Sequence, residues 1–161
     1  MTVTTTRSPR LRRALAAVLL PPLLVAGCST QQEQYCSALE EEKQTLQELG
    51  EGGFEESGTV ARTTDVFQRL AEEAPDDLRD EWDALSGAWQ GLERALEAAD
   101  ADESMFEAGE RPEGMSAEDY DRISQAAVQL RSTRVVEAAS GIEQHGQDVC
   151  SVDLTGSGPA G

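Results

Sequence analysis

The spacing of apolar positions divides the chain into successive helices. The clearest stretch is 78–99. There Leu78, Trp82, Leu85, Trp89, Leu92, Leu96 and Ala99 recur at alternating steps of four and three, a heptad stripe about 33 Å long at 1.5 Å per residue. Upstream, Tyr35, Cys36, Leu39, Leu46 and Leu49 mark one face of a helix beginning near Gln32, with Glu40, Glu41, Glu42, Lys43 and Glu48 mostly outside. Gly50, Gly52 and Gly53 are expected to end it, leaving an acidic loop over 50–58. Val60, Thr63, Val66, Phe67, Leu70 and Ala74 give the inner face of a second helix. Pro75 either stops that helix or sits in the first turn of the next, where Asp76 and Asp77 suit a helix N-terminus.

Past the long stripe, 100–114 reads as a second acidic loop, with Met105 and Phe106 folded back onto the body. Ser116 is a good N-cap, Asp119 occupies the capping-box position, and Met115 and Tyr120 are placed as a hydrophobic staple. Tyr120, Ile123, Ala127 and Leu130 continue that helix inward. Ser132 and Thr133 then either cap a fifth helix running to Val149 or only shift the face of one long helix, with Val135, Val136, Ala139, Ile142 and Val149 as its apolar positions. Residues 153–161, rich in Gly and Ser, are expected to be a disordered tail. The fold expected is all-α: an antiparallel bundle of four or five helices.

Residues 1–27 belong to a different pattern. Arg7, Arg10, Arg12 and Arg13 form a basic segment, followed by an uncharged run from Ala14 to Ala26. That run is shorter than the ~20 apolar residues a membrane span requires and contains Pro21 and Pro22, so it reads as an export signal. Val25-Ala26-Gly27-Cys28 resembles the lipobox of bacterial lipoproteins. The resemblance implies lipid on the Cys28 thiol and cleavage after Gly27. Residues 28–34 would then be a lipidated tether and 35–152 the folded domain. Leu11-Arg12-Arg13 leaves both the general and the twin-arginine export routes open.

Charge narrows the partners. The chain has 31 acidic and 13 basic side chains and a net charge of −18. Cleavage after Gly27 removes four arginines and no acid, so −18 becomes −22. Nucleic acid is excluded as a partner, because phosphate binding needs clustered Lys and Arg. Anionic headgroups would repel such a body, so the membrane is expected as a partner only through the lipid on Cys28. The acidic surface itself reads as a solvated face, with cation binding or a basic partner as the other possibilities. The remaining ~134 residues are one domain's worth. Aromatics make up only 4%, and an apolar set dominated by Ala and Leu suits closely packed helices.

There are three cysteines, Cys28, Cys36 and Cys150. Lipid takes Cys28 out of the count. An oxidising location favours pairing Cys36 with Cys150, which would join the first and last helices. A free thiol or a metal site is the alternative, but two cysteines and one histidine supply zinc poorly. No metal site and no cofactor are expected.

No catalytic constellation emerges. His145 is the only histidine, and its place between Ile142 and Val149 at helical spacing reads as a packed side chain beside the bridge. Asp100, Asp102 and Ser104 invite comparison with a calcium loop, but Met105 stands where the glycine is needed and Arg111 where the bidentate Glu is needed. Trp82 and Trp89 are the candidate lining of a ligand pocket. The unbroken stripe on either side of them favours core packing instead.

Tyr35-Cys36, Ala74-Pro75-Asp76-Asp77-Leu78 leading into Glu81-Trp82, and His145 followed by Cys150-Ser151-Val152-Asp153-Leu154 together resemble small actinobacterial lipoproteins. Many of those carry Cys-Gly where this chain has Cys150-Ser151. The resemblance implies a cell-envelope location and transfers no activity. The function expected is a non-enzymatic interaction or binding module on the outer face of the cell membrane, engaging an envelope protein or a cell-wall component. A solute- or lipid-binding protein is the alternative.

Overall fold

The structure is a computed structural model that describes residues 26–52 and 58–154. The expectations for the export signal before Ala26, for part of the 50–58 loop and for the end of the tail lie outside these residues. Among the described residues the fold is all-helical: α1 (Ala26–Gly52), α2 (Thr59–Glu73), α3 (Arg79–Ala98), the single turn α4 (Met105–Ala108), α5 (Ala117–Gln129) and α6 (Thr133–Asp148), with a 3-10 turn at Asp76–Leu78. None of the described helices is long and apolar enough to cross a membrane.

The heptad stripe makes α3 the central helix. It packs on α2, α5 and α6, while α1 packs on α2. Two clusters of buried side chains follow α3 end to end. Tyr35, Leu39, Leu70, Trp82, Leu85, Ile142 and Val152 surround its first half, and Val60, Leu92, Leu96, Met105 and Ile123 its second. The residues 116–149 form two helices rather than one. Ser132 has extended backbone and its hydroxyl accepts from the Val135 amide, capping α6. The break lets α5 cover the second half of α3 and α6 the first. Ser116 caps α5 as expected, accepting from the Asp119 amide at 3.0 Å. Its hydroxyl also donates to the Asp119 carboxylate, and Arg122 donates to the same carboxylate. These bonds hold the Asp119 carboxyl below its ordinary pKa.

The start of α2 is capped from a distance. Its N-cap, Gly58, has no side chain to offer. The Glu103 carboxylate, 4% exposed, instead accepts from the Val60 amide at 3.2 Å. A buried carboxylate fits there because the helix N-terminus presents free N–H groups and a positive dipole end.

Three boundaries differ from the pattern-based expectation. Helix α1 runs on to Gly52, into the segment read as a loop over 50–58. Helix α1 is already formed at Ala26, so the segment read as a polar tether is helical. Gln31 Nε2 donates to the Ala74 carbonyl at 3.0 Å and ties that turn to the end of α2. At the other end, Asp153 and Leu154 belong to the body and not to a tail. The Asp153 carbonyl accepts from Gln47 Nε2 at 3.1 Å, and Leu154 packs on the first cluster.

Candidate functional site

Cys36 and Cys150 are bonded, with Cα atoms 5.1 Å apart. The bridge ties α1 to the residue run after α6. Around it, Gln32 Nε2 lies 3.2 Å from Cys36 Sγ, 3.6 Å from Cys150 Sγ and 3.2 Å from His145 Nε2. The His145 ring meets Tyr35 edge-on at 5.9 Å. His145 is thus packed beside the bridge. The chain leaves α6 through Ser151, a non-glycine residue at φ 58°, which lets the Val152 amide reach back to the Gly146 carbonyl at 2.8 Å. Gly146 is tightly packed, since an added Cβ would fall 3.2 Å from Leu39 and 3.3 Å from the Val152 carbonyl and push them back by a few tenths of an ångström.

Trp82 and Trp89 share one stripe and have different surroundings. Trp82 is 1% exposed and donates its indole N–H to the Tyr35 hydroxyl at 3.1 Å. It is core, and the expectation that it lines a pocket is corrected. A row of edge-on ring contacts leads outward from it: Tyr35 to Trp82 at 6.4 Å, Trp82 to Phe67 at 5.8 Å, Phe67 to Trp89 at 5.9 Å. Trp89 is only half-buried. It sits near the middle of α3, where the α5–α6 break passes, and lines an open groove of about 640 Å³. Leu49, Phe106, Ala127, Val128 and Leu130 supply the other apolar wall atoms, and Thr59, Ser124 and Arg131 the polar ones. Val128, at the rim, is 66% exposed. Sequence reasoning found Trp89 and turned Ala127 and Leu130 inward, but missed Val128 and Arg131, because neither falls on the apolar stripe of that segment.

Burial sets the chemistry of Tyr35. Desolvation, reinforced by the negative charge of Asp77 and opposed by the Trp82 hydrogen bond, pushes its pKa up to about 12 from 10.0. The unfolded tyrosine releases its proton first, so above pH 10 the unfolded state binds fewer protons than the folded one. Stability therefore falls as pH rises from 10 towards 12, by roughly 2–3 kcal/mol in all. Denaturation midpoints measured across that window should decline in the wild type and much less in Tyr35→Phe. An equal decline in both would exclude Tyr35 as the cause.

The acidic loop after α3 folds onto itself. The Asp102 carboxylate accepts from the Ser104 hydroxyl and from the Ser104 amide, the latter at 2.9 Å, which lowers its pKa. Among the described residues, no group of three or more His, Cys, Asp or Glu side chains is placed to hold a metal ion. Compared with protein-family models, curated proteins and solved structures, the chain matches none.

Proposed function

We propose that this chain is an extracytoplasmic lipoprotein, held to the cell membrane through lipid on Cys28, and that it works as a non-enzymatic binding module of the cell envelope. The observation that carries the binding role is the groove beside Trp89. It is the place where an aromatic side chain of the central helix is half-covered and meets exposed apolar surface. Exposed apolar patches of this kind mark interaction sites. The tether reading rests on Leu24-Val25-Ala26-Gly27-Cys28 and the basic and apolar segments before it. A protein with several acyl chains at ~0.8 kcal/mol per buried CH₂ stays on its bilayer without help from its surface charge. The packed position of His145 and the use of Cys36 and Cys150 in the bridge support a role without nucleophilic catalysis.

The groove's concavity also favours a second reading, in which the ligand is a small apolar solute or a lipid and not a macromolecule. Ligand pockets commonly enclose ~300–1,000 Å³, and this groove lies within that range.

Two measurements test the proposal. Cys28→Ala should shift the protein from the membrane fraction to the released or unprocessed fraction; retention as an integral membrane protein would overturn the tether. A photo-cross-linker placed at Val128 should capture a partner in cells that one placed at the exposed Glu143 does not. Equal capture at both positions would mean that the groove is not where a partner binds.

A further inference from the structure

We propose that the groove takes a single-chain amphiphile with an anionic head, of the long-chain fatty acid class, its tail along Trp89 and Leu130 and its carboxylate on Arg131. This rests on the reading of the groove as a ligand site. The walls are mainly apolar, and Arg131 is the one charged side chain among the described residues that line them. The sign of that charge is unexpected in a chain with 31 acidic and 13 basic side chains. Glu118 and Asp119 on α5 pair with Arg122. Arg131 has no ion pair and no side-chain hydrogen bond among the described residues. A guanidinium recognises a carboxylate through two parallel N–H bonds, a geometry that an ammonium lacks. Val128, in the last turn of α5, lines the same groove as Arg131 in the turn that follows, and leaves apolar surface in water at the rim. A tail laid against it would remove that surface from solvent.

Charge also separates this ligand from its rival. The whole-chain field of −18 draws cations, so a basic peptide would be attracted to the molecule in general and then meet Arg131 with like charge. An anionic amphiphile approaches against the general field and finds its counter-charge only at the groove. Preference for an anionic head is therefore a property of this site and not of the surface at large.

The test uses the full chain carrying Cys28→Ala, so that no attached acyl chain competes. Dodecanoate and dodecyltrimethylammonium, with the same tail and opposite heads, are titrated below their micellar concentrations while tryptophan emission is followed. Dodecanoate should shift the emission saturably, and the cation should bind at least tenfold more weakly. Trp89→Phe should remove the emission shift while calorimetry still detects binding. Arg131→Gln should weaken dodecanoate at least tenfold, and Arg131→Lys should recover part of the loss. Val128→Asp should abolish binding. Arg131 also follows the C-terminus of α5, where a cation favours the helix, so the melting temperature of each variant is recorded beside its affinity. The proposal is overturned if dodecanoate gives no saturable change, if the cation binds as well, or if Arg131→Gln binds dodecanoate normally. If dodecanoate fails while the Val128 cross-link still captures a partner selectively, only the ligand class falls; if both fail, the groove is not a binding site.

Discussion

Replacing both Cys36 and Cys150 by Ser is expected to lower the unfolding free energy by about 4–5 kcal/mol, the chain-entropy value for a loop of this length. The bridge spans a sequence separation of 114, so it constrains nearly the whole domain in the unfolded state. The folded state also depends on it locally. Helix α1 packs mainly on α2, and the bridge together with Gln32 fixes it to the chain after α6. A domain of this size has a total stability of only ~5–15 kcal/mol, so the double variant should sit near the limit of folding at physiological temperature. Denaturant titrations of wild type and double variant measure the effect. A difference below about 1 kcal/mol would mean that strain or residual structure cancels the loop entropy.

Trp82→Ala should cost about 3–5 kcal/mol, and Trp89→Ala less than half of that. Both residues are tryptophans on one stripe of α3, so the contrast isolates environment. Truncating Trp82 leaves a cavity at the centre of the first cluster, between Tyr35, Phe67 and Leu85. It also takes away the donor that the buried Tyr35 hydroxyl accepts from, a further penalty when a buried polar group loses its partner. Trp89 is already partly in water, and its loss widens a groove that solvent enters. Equal effects for the two variants would mean that Trp89 is as much core as Trp82.

The sequence pattern located α3, the Ser116 cap and the residues of the bridge, because each depends on short-range spacing or on simple cysteine counting. It failed where polar side chains act over long separations. The early start of α1 is held by Gln31 on the Ala74 carbonyl, and hydrophobic periodicity carries no record of a glutamine that docks. The cap of α2 comes from Glu103, 43 residues away; in the sequence it is one more acid in an acidic loop. The division between Trp82 and Trp89 was hidden for another reason. Both satisfy the same heptad, and only the path of α5 and α6 across α3 decides which one stays half-uncovered. Ser132 marks that break in the sequence, but the ambiguity between two helices and one shifted helix is resolved only by the extended backbone at this residue.

The docking of Gln31 changes what kind of mount the domain has. A flexible spacer would act as a leash, its end wandering by about 5–6 Å times the square root of its length in residues. A helix packed against the body is a post. With lipid on Cys28, as proposed, the body would pivot as one piece, and the groove would ride at a near-constant height, since α1 from Cys28 to Leu49 is about 33 Å long. Such a module searches the plane of its own membrane and not the depth of the envelope. Its encounters would then be with molecules that diffuse in or just above the same leaflet, and its rate of meeting them would scale with their surface density more than with their bulk concentration.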